Sequence, residues 1–168
     1  LQILQRLRRA PEFKHATRVG IYLHAFGEIQ TRKIIEYCFH QKKAVYLPMI
    51  CNMNQRLVWV KVSRNQFQNK RFSLHPLGMQ EPMATRGQHV SHLDLLLMPL
   101  LACDPYGTRI GMGGGFYDKT LASSRYHCPF RLGLAHHFQL VPQRLIREKW
   151  DQPLDGLLTP QQHLRFKR

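Results

Sequence analysis

Acidic residues are scarce in this chain of 168 residues. Aspartate and glutamate together number 10, against 25 lysines and arginines, and the formal net charge at pH 7 is +15. A field of this strength attracts anions, which include nucleotides, polyanionic metabolites and nucleic acid. The charge carries no information about the fold, but it makes an anionic ligand the first expectation.

The chain also lacks the features of a membrane protein and of a disulfide-stapled protein. No apolar run reaches the roughly 18 residues typical of a membrane span, and no pattern typical of a signal peptide is visible. Cys38, Cys51, Cys103 and Cys128 show no C-x-x-C spacing, so we interpret them as small buried hydrophobes in a reducing compartment. The length suits one domain with its own core. We therefore expect a single-domain cytoplasmic enzyme.

Two familiar glycine motifs are absent as well. No Gly-Lys pair occurs, which excludes a P-loop, and Phe116 occupies the position of the third glycine of a dinucleotide fingerprint. A different glycine-rich stretch is present. An apolar run over residues 95–101 predicts a buried strand, residues 104–107 predict a turn, and Arg109 precedes a loop that contains Gly111, Gly113, Gly114 and Gly115.

This order of strand, glycine loop and helix start predicts an anion site. Glycines let backbone N–H groups approach a phosphate closely, and Arg109 can add a bidentate contact. Asp118 is a hard oxygen ligand suited to Mg²⁺. The alternative is a surface turn in which Asp118 only caps a helix predicted over residues 119–123.

Strands and helices alternate along the chain. A strand over residues 18–25, a helix from the N-cap Thr31 to about residue 41, and a strand over residues 44–50 predict a β-α-β unit with parallel strands. The predicted class is α/β, three-layered and mostly parallel. The other predictions are strands at 57–62, 130–136 and 154–159, a helix at 142–149, a loop at 64–73, a flap at 83–92 and a frayed basic tail at 163–168.

The predicted sheet brings two candidate sites to one edge. In parallel sheets, ligands bind at the carboxyl ends of the strands. Glu28 lies just past one strand end, and the glycine loop lies just past another. We therefore expect Glu28 and the loop to share one edge of the sheet.

The glycine stretch resembles the signature of the 5-formyltetrahydrofolate cyclo-ligases, also called methenyltetrahydrofolate synthetases. The similar pattern is G-x-R-[IL]-G-x-G-x-G-[FY]-Y-D, which here runs from Gly107 to Asp118. Residues 27–31, 77–82 and 151–155 also resemble segments of that family. The resemblance implies an α/β fold related to the sugar-phosphate isomerase and CoA-transferase sheets (NagB/RpiA/CoA-transferase-like). It also implies ATP- and Mg²⁺-dependent cyclisation of 5-formyltetrahydrofolate to 5,10-methenyltetrahydrofolate, with release of ADP and phosphate.

The resemblance further implies roles for individual residues. Arg109 and Tyr117 would be catalytic, Leu23 and Glu28 would face the folate, and Asp118 and Asp151 would bind Mg²⁺. For Glu81 a turn role is favoured, and a substrate contact is the alternative. The ATP-binding loop would comprise Arg109, Ile110, Gly111, Met112, Gly113, Gly114, Gly115, Phe116 and Tyr117.

Some features depart from the family pattern. Family members begin with a helix whose Lys-x-x-x-Arg pattern reaches the ATP phosphates, and no such pattern stands before Leu1. We therefore expect one domain over residues 1–168 without that helix, and weak ATP binding unless Arg6, Arg8 or Arg9 fills the role. Met112 and Gly114 also stand where some members carry a basic residue.

Two alternatives from other classes stay open. The charge favours a nucleic-acid-binding protein, but no helix-turn-helix, zinc-finger or RNP pattern occurs, and the basic residues are spread along the sequence. A related α/β enzyme acting on a phosphosugar or a CoA ester is the other alternative. We expect a monomer whose partners are ATP and 5-formyltetrahydrofolate in preference to nucleic acid, and we expect no membrane partner.

Overall fold

The computed structural model describes residues 2–25, 27–124 and 128–168. Its helices are α1 (Gln2–Arg9), α2 (Pro11–His15), α3 (Arg32–His40), α4 (Arg64–Gln68) and α5 (Phe116–Ala122). Its strands are β1 (Arg18–Gly20), β2 (Ala44–Cys51), β3 (Arg56–Val62), β4 (Phe72–Leu74), β5 (Gln80–Pro82), β6 (Leu95–Met98), β7 (Ala102–Cys103), β8 (Arg109–Ile110), β9 (Phe130–Leu134), β10 (Gly156–Leu158) and β11 (His163–Arg165).

A seven-stranded sheet forms the centre, in the order β11-β10-β9-β6-β1-β2-β3. The five inner strands run parallel, and β3 and β11 pair antiparallel at the two edges. The predicted α/β class with a mostly parallel sheet is therefore confirmed. The parallel pairing of β1 with β2 also confirms the predicted β-α-β unit.

The sheet buries both of its faces. Successive side chains of a strand point to opposite sides, so Leu95 and Leu97 of β6 join one hydrophobic cluster, and Leu96 and Met98 join the other. Helices α1, α2 and α3 cover the first face, and α5 packs on the second through Leu121. This three-layer arrangement explains why β6 is apolar at every position.

Three local predictions were wrong. Residues 64–73 contain α4, which begins at a capping box between Ser63 and Gln66, and strand β4. Residues 142–149 form no helix, because the Leu145 amide donates to Asp104 and Arg147 bonds to Thr108. Residues 163–168 are not frayed, since they contain the edge strand β11.

Candidate active site

A short hairpin presents the glycine-rich loop. Strands β7 and β8 pair antiparallel across the turn predicted from the sequence. Asp104 is buried, and its Oδ1 accepts hydrogen bonds from the amides of Tyr106 and Thr108, both at 2.9 Å. The turn thereby fixes the direction in which β8 enters the loop.

Glycine is required at particular points of the loop. Gly113 and Gly115 have φ angles of +102° and +69°, which side chains rarely tolerate. A Cβ atom at position 111 would lie 2.9 Å from Nη1 of Arg109. The loop backbone therefore passes directly against the guanidinium, and the glycines make that approach possible.

Arg109 is a buried cation that has no carboxylate partner among the residues that the structure describes. Its relative exposure is 9%, and none of the ion pairs among the described residues includes it. Nε donates to the carbonyl of Pro99 at 2.8 Å, and the guanidinium carbon lies 5.0 Å from the centre of the Tyr117 ring. Burial lowers the pKa of Arg109. An anionic ligand would stabilise such a buried cation strongly, because it would supply the missing opposite charge.

One cavity of about 680 Å³ joins the candidate residues. The glycine loop from Gly111 to Gly115 lines it together with Arg109, and Leu23 and Glu28 line it as well. The expectation that Glu28 and the loop share one edge of the sheet is thus confirmed. Phe116, Tyr117 and Asp118 complete this part of the lining.

Ile110 and Asp151, in contrast, do not line the cavity. The side chain of Ile110 is 42% exposed, and its carbonyl accepts a hydrogen bond from Leu101 within the hairpin. The carboxylate of Asp151 accepts from the Glu148 amide at 2.8 Å. In this structure both residues stabilise the local backbone through these hydrogen bonds.

Asp118 stands at the cavity wall with one oxygen engaged. Its Oδ1 accepts a hydrogen bond from the Gln152 amide at 3.0 Å. Burial raises the pKa of Asp118, and the nearby negative charge of Asp151 adds to the increase. Among the described residues there is no cluster of three or more His, Cys, Asp or Glu side chains that could by itself hold a metal. Any cation here would need further ligands from a bound molecule.

Glu28 closes a turn beside the cavity. Its Oε1 accepts a hydrogen bond from the Ala25 amide at 2.6 Å, and the side chain is half-buried. Tyr22, which is buried next to it, also lines the cavity, and burial raises the pKa of its phenol well above the usual value. This end of the cavity therefore combines one carboxylate with an aromatic wall.

The sequence did not indicate several lining residues, because they come from distant segments. Leu77 and Met79 line the cavity from the connection between β4 and β5, so residues 77–80 border it where a flap was predicted at 83–92. Glu81 is buried, and its carboxylate accepts from the Ile50 amide, so it ties β5 to β2. Trp150, which is 66% exposed, lines the cavity near Asp118. In the sequence, only the large side chain of Trp150 and its position next to Asp151 could have indicated that it lines the site.

Comparison with known proteins identifies the family. The sequence model of the 5-formyltetrahydrofolate cyclo-ligase family matches residues 1–160. The chain belongs to this family. The resemblance stated from the residues 107–118 is thereby confirmed.

Relatives of this cyclo-ligase span most of its length. The chain is 35% identical over 162 residues to 5-formyltetrahydrofolate cyclo-ligase of Escherichia coli K12. The aligned region covers 95% of this chain and 86% of the relative. It is 34% identical to the enzyme of that name from Haemophilus influenzae, with 88% and 78% covered. The solved 5,10-methenyltetrahydrofolate synthetase of Aquifex aeolicus superposes with a TM-score of 0.81 at 26% identity, and covers 99% of this chain and 80% of that one.

The arginines of α1 lie outside the cyclo-ligase cavity. Arg6 Nε donates to the carbonyl of Pro160 at 2.9 Å, and the Arg8 guanidinium lies 5.1 Å from the centre of the Tyr37 ring. Arg6, Arg8 and Arg9 are all absent from the cavity lining. In the part of the chain that the structure describes, no helix is both long and apolar enough to traverse a bilayer.

Proposed function

We propose that this protein uses ATP and Mg²⁺ to convert 5-formyltetrahydrofolate to 5,10-methenyltetrahydrofolate, releasing ADP and phosphate. One observation carries the proposal: in a member of the cyclo-ligase family, a single cavity joins a glycine loop and a buried arginine to a carboxylate and aromatic wall. The first set suits a nucleotide, and the second suits a folate. A reaction between two bound molecules needs such a shared space.

The formyl group explains why a nucleotide is needed. An N-formyl group is an amide, so it is a poor electrophile, and its oxygen is a poor leaving group. Phosphorylation of that oxygen makes it a leaving group, and N10 of the folate can then close the ring as phosphate departs. Phosphoryl transfer of this kind depends mainly on positioning and on charge neutralisation.

We assign the nucleotide end to the loop and Arg109. Backbone amides of residues 111–115 can approach phosphate oxygens because glycines carry no side chains. The Arg109 guanidinium supplies positive charge in a water-poor site, where it counts for more than in bulk water. Ile110 does not line the cavity, so it would contribute only by holding the start of the loop in the hairpin.

Tyr117 suits a donor role. Burial raises the pKa of its phenol, so the group stays protonated at neutral pH and can donate a hydrogen bond to an oxygen that gains charge. The Arg109 guanidinium lies over its ring, which holds both side chains in place. We therefore assign Arg109 and Tyr117 as the residues that stabilise the transferring phosphoryl group.

The carboxylate of Asp118 fits a magnesium ion, whereas Asp151 lies outside the cavity lining and would act on the ion only through its charge. Mg²⁺ in nucleotide enzymes takes one or two carboxylates, with phosphate oxygens and waters as its other ligands. Asp118 lines the cavity beside the loop with its Oδ2 free of hydrogen bonds from the described residues, and the charge of Asp151 acts on it. When bound, Mg²⁺ would neutralise charge on the nucleotide phosphates.

We assign the part of the cavity at Leu23 and Glu28 to the folate. Tyr22, Leu77 and Met79 add apolar surface to the cavity, which suits a flat ring and helps to exclude water. A cytoplasmic location, a single domain and a monomeric state remain predictions from the sequence.

The experiment is an absorbance assay. Purified protein with 5-formyltetrahydrofolate, ATP and Mg²⁺ should develop the near-ultraviolet absorbance of the methenyl product, and ADP should form in equal amount. Reactions without ATP, and reactions with Arg109→Met protein, serve as controls. A complete, folded protein that gives no ATP-dependent signal would exclude the proposed activity.

A further inference from the structure

Basic residues from both ends of the chain meet at the β11 edge of the sheet. Arg6 in α1 donates to the carbonyl of Pro160, in the connection between β10 and β11. Arg165 in β11 makes two hydrogen bonds to the carboxylate of Glu12 in α2, at 2.9 and 3.1 Å. Residues that are far apart in the sequence therefore lie next to one another, although the sequence had indicated that the basic residues are spread out.

Two surface grooves lie at this edge and a third adjoins them across α1, and basic side chains line all three. One groove is lined by residues of α1, α2 and α3, a second by α1 and the β10–β11 connection, and a third by residues 144–147, residues 165–167 and the turn at 105–108. No described residue that lines them is an aspartate or a glutamate. We call this surface the basic band; its lysines and arginines are Arg6, Arg8, Arg9, Lys14, Arg144, Arg147, Arg165 and Lys167.

Much of the charge of the basic band is not neutralised. Arg165 of the band is paired with Glu12. Among the described residues, Arg144, Arg147 and Lys167 take part in no ion pair. Asp104 is the buried carboxylate behind the third groove, and backbone amides occupy both of its oxygens. The groove therefore presents positive charge to the solvent.

Some of these arginines are held in place. The Arg144 guanidinium carbon lies 4.2 Å from the centre of the Tyr106 ring, and Arg147 bonds to Thr108 Oγ1 at 2.8 and 3.0 Å. Tyr106 itself is 52% exposed. An exposed aromatic ring among fixed cations is the combination that binds single-stranded nucleic acid, since bases stack on the ring and phosphates meet the cations.

We propose that the basic band binds single-stranded nucleic acid through its phosphate backbone, without sequence preference. A single small anion would contact one groove, whereas a chain of phosphates can contact cations in all three. Arg9 lines two of the grooves, and Arg165 of the third bonds to Glu12 of α2, so a flexible strand can pass from one groove to the next, and a rigid duplex fits such a path poorly. The band shares no lining residue with the active-site cavity, so this inference does not depend on the proposed enzyme function.

The test measures the binding of a fluorescently labelled oligouridylate of about 20 nucleotides at several salt concentrations, by anisotropy. The band variant carries Arg9→Gln, Arg144→Gln and Lys167→Gln. The matched control carries Arg56→Gln, Lys61→Gln and Arg86→Gln, which removes the same charge from exposed positions at or beside the opposite edge strand β3. Circular dichroism and the cyclo-ligase assay check that both variants are folded.

We expect wild type and the control variant to bind with similar, strongly salt-dependent affinity. In the band variant the slope of log K against log salt should fall by about 0.7 per lost phosphate contact, hence by about 2 in total. Equal losses in both variants would show that net charge alone is responsible and would refute the band. Binding of poly-glutamate or of anionic lipid vesicles as tight as that of the RNA would refute the assignment to nucleic acid.

Discussion

Replacing Arg109 by methionine removes the buried cation and keeps a long, flexible side chain in its place. The guanidinium has no carboxylate partner among the described residues, and its one hydrogen bond to protein goes from Nε to the Pro99 carbonyl. Its Nη groups therefore stay available for an anion in the cavity. We expect the variant to fold and to bind ATP poorly.

The expected loss follows from the contacts of Arg109. A hydrogen bond to a charged group is worth roughly 1.5–3 kcal/mol, and about 1.4 kcal/mol is tenfold in Kd. If the guanidinium binds phosphate through two such bonds, its removal should raise the Kd for ATP by about 100-fold or more. Arg109→Lys keeps the positive charge but loses the two-pronged guanidinium geometry, so its Kd for ATP should rise by only about tenfold.

The stability of the protein should change much less. The methionine variant loses the charge-assisted bond to Pro99, roughly 1.5–3 kcal/mol, and the contact with Tyr117, roughly 0.5–2 kcal/mol. It also avoids the cost of burying a charge, which opposes those losses. The net change should stay within about 2 kcal/mol, and hence within roughly 8 °C in melting temperature.

A thermal-shift titration with ATP separates the two effects. At an ATP concentration of about 100 times the wild-type Kd, binding adds about 2.7 kcal/mol, which raises the wild-type melting temperature by roughly 5–10 °C. The same concentration should raise that of the methionine variant by only about 1 °C. A full ATP-induced shift in the variant would refute the reasoning and leave Arg109 as a structural residue.

Four further predictions concern other residues. Asp118→Asn should abolish the Mg²⁺ dependence of ATP affinity while leaving metal-free ATP binding intact; calorimetry with and without Mg²⁺ checks this, and an unchanged dependence would make Asp118 a structural residue. Glu28→Gln should weaken 5-formyltetrahydrofolate binding more than ATP binding, and equal effects in separate titrations would argue against a folate contact. Trp150 is 66% exposed and Trp59 is fully buried, so acrylamide should quench mainly Trp150, and saturating ATP should reduce that quenching; no protection would place the nucleotide elsewhere. Although burial opposes it, backbone and side-chain hydrogen bonds lower the pKa of Asp94 from 3.8 to about 2, so its stabilisation is present above pH 3.8 and is lost as the pH falls toward 2. After allowance for solvent screening, the unfolding free energies of wild type and Asp94→Asn should differ by about 1 kcal/mol at pH 7 and converge near pH 2, and a constant difference would refute the linkage.

Local patterns predicted the centre of this fold well. The all-apolar β6 and the strand–helix–strand order from β1 to β2 follow from residue periodicity, and they give the parallel sheet. The rule that ligands bind at the carboxyl ends of parallel strands then placed Glu28 and the glycine loop on one cavity. These features depend on interactions that are short-range in the sequence or common to all such sheets.

The remaining differences arise from long-range contacts. The segment 142–149 has a helix-like pattern, but Asp104 and Thr108 on the β7–β8 hairpin bind its backbone and Arg147. Leu77 and Met79 reach the cavity because β5 lies against β2, and no local signal indicates that packing. Propensity is a weak guide wherever tertiary hydrogen bonds compete with a short helix.

The C-terminal segment shows most clearly why charge cannot be interpreted from sequence order alone. Residues 163–168 have the composition of a solvated tail, yet Leu164 and Phe166 pack against the core, and Arg168 pairs with Asp155. The same pairing of β11 with β10 places Arg165 and Lys167 beside a groove that they share with Arg144 and Arg147. Strand β11 thus closes one edge of the sheet and gathers distant cations into one surface. An excess of positive charge that is diffuse along the sequence becomes local only through the fold.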